Sequence, residues 1–510
     1  MSSLFFITFS IFQVLSSATS HLHPGVPLGT DPFGRSISAR LGVRYGEKPE
    51  RFQFATMAKS SWRKSLFTER PKECPQLKVK LNQETSEDCL FLNVFGPTKA
   101  YSHELLPVLV YIHGGAYKFG TGNQFEVENM GNLSKQGFVV VTLQYRLSTL
   151  GFFHVDGSKL FPANLGLHDT HLALQFISKH IKEFGGDPKR ITLIGQSAGA
   201  CSAHALSISP NVNKELFHRV ILMSAVVEVC YNGTGSGVSP SAVAAKELCN
   251  IDLNEDFDDE VLFKCLNEAP LAKVENVDQF EKHEKNWVLF TDGHFFPEHY
   301  RLMNRSTRGH DYLIGVTSDE WAFFENLFAY GFSRKDFTPK RFEETVQKYM
   351  GIEKKEEIDL LKEFYTKEEI KGEDVQSYWF ENVVNSMTDL AFHVPILDEI
   401  HRLMSATNPP NIYLYTFNIT APSFNQGYHA SHCSDLQYIF GDSKTIADYP
   451  YFQSTILGFA KNGAYPMRRE KHLKGSLVFN NHLPFISYSK DFCPRARRLI
   501  DSFQEKSPKV

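Results

Sequence analysis

The chain has 510 residues, of which 42% are hydrophobic and 22% are charged. This composition supplies enough apolar surface for a large core and excludes a globally disordered protein. The formal net charge is only −4, whereas nucleic-acid-binding domains usually carry a strong basic excess, so we expect no nucleic-acid partner.

The first predicted element is a secretory signal peptide over residues 1–20. This segment contains no Asp, Glu, Lys or Arg; its apolar run is Leu4–Phe12, and small residues follow the run. Although Lys or Arg is missing ahead of the run, the run is too short to span about 30 Å of hydrocarbon as a membrane anchor. We therefore predict a secreted protein, in which residues 21–510 form one domain with no membrane span.

The cysteines and glycosylation motifs agree with export. There are eight cysteines, and disulfides persist mainly in oxidising compartments. Four N-x-S/T sequons, which are used only in exported chains, are candidate glycosylation sites. They are Asn132, Asn232, Asn304 and Asn418.

Short apolar runs predict the strands of one buried parallel sheet. These runs are Val108–Ile112, Phe138–Leu143, Ile191–Ile194, Val220–Met223, Tyr312–Val316 and Ile412–Phe417. Between the second and third runs, Asp169–Phe184 places its apolar side chains on one helical face. The strand–helix–strand order predicts an α/β fold with helices on both faces of the sheet. The charged helical segments 232–290 and 320–405 look like insertions that build the walls of a pocket.

The strongest chemical motif follows the third of these strands. Residues 195–199 read Gly-Gln-Ser-Ala-Gly, and G-x-S-x-G between a strand and a helix exposes its serine as a nucleophile on a strained turn. Ser197 is therefore the candidate nucleophile. Gly114 and Gly115 follow an earlier strand, and their amides, with that of Ala198, are candidates to bind a developing oxyanion.

An acid and a histidine are expected downstream, in that order. The strand Tyr312–Val316 is followed by Asp319 and Glu320, and the strand Ile412–Phe417 is followed by His429 and His432. Spacing alone does not select one member of either pair.

From about Arg40 to Gly463 the sequence resembles the type-B carboxylesterase and cholinesterase family. The matching motifs lie at Glu87–Val94, Tyr145–Leu147, Phe184–Pro188, Gly195–Gly199 and Phe440–Gly441. The resemblance implies an α/β-hydrolase fold that uses no metal and no organic cofactor. Its patterns G-V-x-x-D-E and H-x-x-E/D-L select Glu320 and His432 as the acid and the base.

The resemblance also implies a function. It predicts a serine carboxylic-ester hydrolase that acts through an acyl-enzyme on a small-molecule ester; the oligomeric state is left open. The alternative is a catalytically impaired adhesion or carrier protein on the same fold, but such proteins typically lose a triad member. Here Ser197, Glu320 and His432 are all present.

Three residues depart from the family pattern beside the predicted triad. Gln196, Trp321 and Cys433 stand where the family usually has Glu, Gly and Gly. The added bulk of Trp321 and Cys433 predicts a narrower pocket that prefers small acyl groups. No tryptophan lies between Cys74 and Cys89, so the cation–π site for choline found in cholinesterases is not expected.

The resemblance further implies two disulfides, Cys74–Cys89 and Cys249–Cys265, each of which closes a short loop. Cys201 follows the serine motif among small residues, and we expect it to be a buried free thiol. Cys230, Cys433 and Cys493 have no assigned partner.

Overall fold

A computed structural model describes residues 23–77, 84–100, 104–231, 239–277, 287–304, 309–324, 337–366, 375–419, 430–463, 473–480, 485–487 and 492–506. The predicted signal peptide, Asn232 and His429 lie outside these residues. Within the described ranges, none of the helices has the length and apolarity needed to cross a membrane.

One large sheet contains all the strands of the described residues. They are β1 Val26–Thr30, β2 Ser36–Arg44, β3 Phe91–Pro97, β4 Leu106–Ile112, β5 Val139–Leu143, β6 Gly186–Gln196, β7 Arg219–Met223, β8 Asp311–Thr317, β9 Ile412–Asn418, β10 Leu473–Asn480 and β11 Phe485–Ser487. Their order across the sheet is β1-β2-β3-β5-β4-β6-β7-β8-β9-β10-β11. The run from β5 to β10 is parallel, and the pairs β1/β2, β2/β3, β3/β5 and β10/β11 are antiparallel.

The helices lie between and beyond these strands. They are α1 Val127–Ser134, α2 Ser148–Phe152, α3 Leu165–His180, α4 Ala198–Ile208, α5 Pro240–Cys249, α6 Asp259–Glu268, α7 Leu271–Asn276, α8 Pro339–Met350, α9 Lys355–Tyr365, α10 Val375–Thr388, α11 Val394–Met404, α12 Gln437–Phe440, α13 Ser443–Asp448, α14 Pro450–Asn462 and α15 Pro494–Lys506. A π-helical turn over Asp389–His393 joins α10 to α11.

The core lies on both faces of the sheet, because successive side chains of a strand point to opposite sides. In β4, Val108 and Val110 contribute to one apolar cluster, which includes side chains of α3 and α4, while Leu109 and Tyr111 contribute to a second cluster with α1 and α14. The six predicted strands and the α/β class are confirmed.

Local sequence signals explain where several helices begin and end. Ser239 caps α5 by accepting a hydrogen bond from Ala242 N at 3.1 Å. Thr338 caps α8 in the same way, and a proline occupies the first turn of both helices, where its missing N–H costs nothing. Gly351 follows the last residue of α8, and its φ of 64° suits a residue without a side chain.

The two predicted insertions are helical where they are described. The first carries α5 to α7, and the second carries α8 to α11. The second insertion has an apolar cluster of its own, which includes Trp321, Phe342 and Trp379. Residues from both insertions reach the carboxyl edge of the central strands, where the cavity described below lies.

Candidate active site

Ser197 lies on a sharp turn between the end of β6 and the start of α4. Its φ of 56° and ψ of −127° are unusual for a residue with a side chain. The turn is tight, because a Cβ on Gly195 would lie 2.3 Å from the carbonyl oxygen of Gly199, and one on Gly199 would lie 2.1 Å from that of Ile112. Gly195 therefore allows β6 and α4 to approach closely, Gly199 allows α4 to approach the end of β4, and Ser197 remains only partly buried.

His432 and Glu320 form a buried pair at the ends of neighbouring strands. Glu320 follows β8, His432 follows β9, and the distance from His432 Nδ1 to Glu320 Oε2 is 2.6 Å. The other carboxylate oxygen, Oε1, accepts a hydrogen bond from the backbone N–H of Thr317 at 2.8 Å. Because each oxygen has a donor, the carboxylate is held in one orientation and keeps the Nδ1 proton of the imidazole in place.

The other acid of the predicted pair points elsewhere. Asp319 is half-buried, and its Oδ2 accepts a hydrogen bond from Ser318 Oγ at 2.7 Å. The backbone of Asp319 bridges to that of Ser431. Asp319 thus supports the loop that carries His432 and does not contact the imidazole.

The loop after β4 lies directly against the serine turn. A Cβ on Gly114 would be 2.7 Å from the carbonyl oxygen of Gln196 and 2.9 Å from the Cβ of Ser197. Gly115 has a φ of 111°, and a Cβ there would be 1.9 Å from the carbonyl oxygen of Phe119. Neither position has room for a side chain, and Gly114 lies directly against the turn that carries Ser197.

His113 is buried beneath this loop and contacts it. Its ring stacks on Tyr145 with centroids 4.4 Å apart, and its Nδ1 is 2.9 Å from the carbonyl oxygen of Gly114. Burial lowers the pKa of His113 to about 4, so the ring is neutral near pH 7. A neutral ring packs against the tyrosine without the cost of a buried charge.

Ser197, His432 and the three candidate oxyanion residues line one cavity of about 300 Å³. Much of its remaining wall is apolar and comes from both insertions and the neighbouring loops: Val229, Trp287, Val288, Phe323, Phe324, Phe392 and Leu436. This volume is at the lower end of the range for small-molecule sites, and apolar walls with a few convergent polar groups are typical of them.

Three phenylalanines surround His432, and they were not predicted from the sequence as part of the site. The ring centroids of Phe392, Phe324 and Phe323 lie 5.0, 5.2 and 5.9 Å from that of the imidazole. Phe323 and Phe324 follow Glu320 within one helical turn, and that spacing was an available signal. Phe392 belongs to the π-helical turn, which is distant in sequence, and no local pattern predicts its contact with His432.

A second buried carboxyl lies close to the pair. Asp435 accepts a hydrogen bond from Tyr415 Oη at 2.9 Å. Burial, together with the nearby charge of Glu320, raises the pKa of Asp435 to about 7. Asp435 therefore carries a proton through much of the acidic range.

Among the described residues, Trp321 does not line the cavity, although Phe324, which it contacts, does. Trp321 packs within the insertion cluster, with ring centroids 5.0 Å from Phe324 and 5.1 Å from Tyr349. Cys433 does line the cavity. Its φ is 60°, which explains why glycine is the usual residue at this position in the resembling family.

The structure contains the two disulfides implied by the resemblance, Cys74–Cys89 and Cys249–Cys265. The expectation of a free thiol at Cys201 is wrong, because Cys201 pairs with Cys230. The two cysteines meet because the turn after β7 passes over the first turns of α4. Since Cys230 lines the cavity, this bridge ties the cavity wall to the helix that follows Ser197.

The three described sequons lie in different environments. Asn304 is exposed in a loop, whereas Asn132 in α1 and Asn418 at the end of β9 are half-buried. Asn418 Oδ1 lies 3.0 Å from Ser318 Oγ, the hydroxyl that also contacts Asp319. Asn304 is therefore the most accessible of these three side chains.

Comparison with known proteins identifies the family. The model of the carboxylesterase family matches residues 25–453. Gut esterase 1 of Caenorhabditis elegans is 30% identical over 395 residues, which cover 72% of this chain and 68% of that protein. Bile salt-activated lipase of Bos taurus is 29% identical over 458 residues, covering 80% and 71%, and cocaine esterase of Homo sapiens is 29% identical over 369 residues, covering 70% and 62%. The chain therefore belongs to the carboxylesterase family and is a carboxylic-ester hydrolase.

Proposed function

We propose that this hydrolase is a secreted serine esterase that acts through an acyl-enzyme. Ser197 is the nucleophile, His432 the general base and acid, and Glu320 the residue that orients the imidazole. The observation that carries the proposal is the 2.6 Å contact between His432 Nδ1 and Glu320 Oε2, in a cavity that Ser197 also lines.

These proposed roles define the first half of the reaction. As Ser197 Oγ bonds to the ester carbonyl carbon, its proton passes to His432 Nε2. The amides of Gly114, Gly115 and Ala198 stabilise the negative charge on the former carbonyl oxygen. Collapse of the intermediate breaks the bond to the alcohol, which leaves with the proton from His432.

The second half of the reaction restores the enzyme. A water molecule gives a proton to His432 and attacks the acyl carbon. The second intermediate releases the carboxylic acid as Ser197 Oγ regains the proton. No metal or organic cofactor takes part in these steps.

The cavity favours compact, apolar acyl groups. Its volume of about 300 Å³ and its phenylalanine-rich wall suit an acyl chain of a few carbons. We therefore expect kcat/KM for p-nitrophenyl esters to be highest for acetyl to butyryl groups and to fall for longer chains.

The direct test compares p-nitrophenyl acetate turnover by wild type, Ser197→Ala and Ser202→Ala. Ser202 lies in the same helix and contacts Tyr117 Oη at 3.1 Å, so its variant is a matched control. Ser197→Ala should lower kcat by roughly 10⁶-fold, the scale for removal of such a nucleophile, and Ser202→Ala should stay within a few-fold of wild type. A wild type without turnover would favour the impaired adhesion or carrier protein instead.

Export is part of the proposal and rests on separate observations. The three disulfides suit an oxidising compartment, and residues 1–20 have the features of a cleaved signal. Expression in eukaryotic cells should place the protein in the medium, with residue 21 as its N-terminus and with a mass that decreases on treatment with peptide N-glycosidase. Retention in the cytosol would contradict this part.

A further inference from the structure

Gln196 contacts the general base directly. It is the last residue of β6, precedes Ser197 and is only 4% exposed. Its side-chain nitrogen, Nε2, lies 3.1 Å from His432 Nε2. This is the imidazole nitrogen that must take the serine proton in the proposed reaction.

The direction of this hydrogen bond follows from the other partners of the ring. Glu320 accepts at Nδ1, so a neutral His432 carries its proton there and has a lone pair at Nε2. The amide nitrogen of glutamine is a donor only. Gln196 Oε1 points the opposite way, towards the oxyanion loop, where a Cβ on Gly114 would lie 2.7 Å from it.

Only one donor can use the Nε2 lone pair well at a time. Among the described residues, Gln196 is the only hydrogen-bond partner of His432 Nε2, and Ser197 Oγ makes no hydrogen bond. His432 Nε2 therefore contacts the Gln196 amide and not Ser197 in the structure.

We infer that Gln196 is a positioning residue that caps the general base: its amide donates to His432 Nε2 in the free enzyme and yields this site to Ser197 when the ester binds. The inference rests on the proposed function of Ser197 and His432. Donation to the lone pair stabilises the neutral imidazole relative to the imidazolium. The cap thereby favours the protonation state in which His432 can accept the serine proton.

Other titratable groups near His432 also affect its protonation, and they stay constant in a Gln196 variant. Glu320 and Asp435 face the ring as carboxyl groups, and Glu73 and Lys118 line the same cavity. The Cys433 thiol is adjacent, and burial together with Asp435 and Glu320 raises its pKa. The remaining ring contacts given above are with phenylalanines.

The test is the pH dependence of kcat/KM for p-nitrophenyl acetate in wild type, Gln196→Met, Gln196→Glu and Gln124→Met. Methionine keeps the length of the side chain but cannot donate, so the midpoint of the acid limb should rise by about 0.5–1 pH unit. A carboxylate at this position favours the imidazolium, so Gln196→Glu should raise the midpoint by about one to two units. Gln124 lines the same cavity and donates to Tyr111 Oη at 2.9 Å, and its variant should keep the wild-type midpoint.

Each result bears on the inference. If the acid-limb midpoint of Gln196→Met is equal to or below that of wild type, Gln196 does not donate to His432 Nε2. An amide oxygen that accepts from this nitrogen would shift the midpoint in the opposite direction. A Gln196→Glu midpoint equal to that of wild type would show that the side chain does not face the base. Should Gln196→Met fail to fold, as seen by circular dichroism, the Glu variant decides. A wild type without ester turnover would overturn the proposed function itself, and this inference with it.

Discussion

Replacing Glu320 by glutamine tests whether the carboxylate sets the proton position of the base. Both of its oxygens accept hydrogen bonds, Oε1 from the Thr317 N–H at 2.8 Å and Oε2 from His432 Nδ1 at 2.6 Å. Glutamine has a single accepting oxygen and cannot satisfy both donors. One of the two sites must then face an NH₂ group.

Either orientation of the glutamine leaves one buried donor facing another. If the amide oxygen stays with His432, the NH₂ group meets the Thr317 N–H, and two buried donors that face each other cost about 1–3 kcal/mol. The opposite orientation keeps the Thr317 hydrogen bond and presents NH₂ to Nδ1, so the imidazole proton moves to Nε2, where it faces the Gln196 amide donor. In that tautomer His432 cannot accept the serine proton. Together with loss of the negative charge beside the imidazolium, this predicts a fall in kcat of about 10⁴-fold.

The assay is p-nitrophenyl acetate turnover, with thermal unfolding recorded for each variant. Asp319→Asn is the matched control, since Asp319 is the adjacent acid and does not contact the imidazole; it should stay within a few-fold of wild type. A Glu320→Gln enzyme within tenfold of wild type would refute the assigned role. A loss in Asp319→Asn instead would transfer that role to Asp319.

Three further predictions follow from the geometry of the site. Because burial raises the pKa of Asp435 to about 7, the free energy of unfolding of wild type should fall as pH rises from about 4 to 7. The Asp435→Asn variant should be more stable than wild type above pH 7, by at most about 4 kcal/mol. This difference should disappear towards pH 4. Urea unfolding across this range checks it, and a stability difference independent of pH would contradict it. Cys433→Gly should raise the ratio of kcat/KM for the hexanoyl ester to that for the acetyl ester by roughly tenfold, whereas Trp321→Phe should leave this ratio unchanged. Equal ratios in wild type and Cys433→Gly would show that Cys433 does not limit the size of the acyl group. Gly115→Ala places a Cβ 1.9 Å from a backbone carbonyl oxygen, so esterase activity should fall at least 100-fold, and wild-type activity in this variant would exclude the loop from the oxyanion site.

The centre of the fold could be predicted because its strands are apolar along their whole length. Val108–Ile112 and Val220–Met223 are buried on both faces of the sheet, and such runs stand out in a sequence. The antiparallel edge strands were not predicted. The strand β1, for example, is largely exposed. Its five residues, Val-Pro-Leu-Gly-Thr, include one proline and one glycine, so its apolar pattern is weak.

Residues of the candidate site could be proposed from the sequence where a local motif contains them, but not where they meet through distant contacts. Ser197 and Gly114 belong to short motifs that follow strands. Glu320 needed the family pattern, since Asp319 is equally well placed in sequence. The Cys201–Cys230 bridge and the approach of Phe392 to His432 result from packing between segments, which no local pattern contains.

Covalent labelling of Ser197 tests the central claim most directly. Diethyl p-nitrophenyl phosphate should react as Ser197 Oγ bonds to phosphorus, p-nitrophenolate leaves, and the serine proton passes to His432. Peptide mapping by mass spectrometry is predicted to find one diethylphosphoryl group, on Ser197, in parallel with the loss of ester hydrolysis, and none in Ser197→Ala. A label on another residue that abolishes activity, or full ester turnover by Ser197→Ala, would contradict the account.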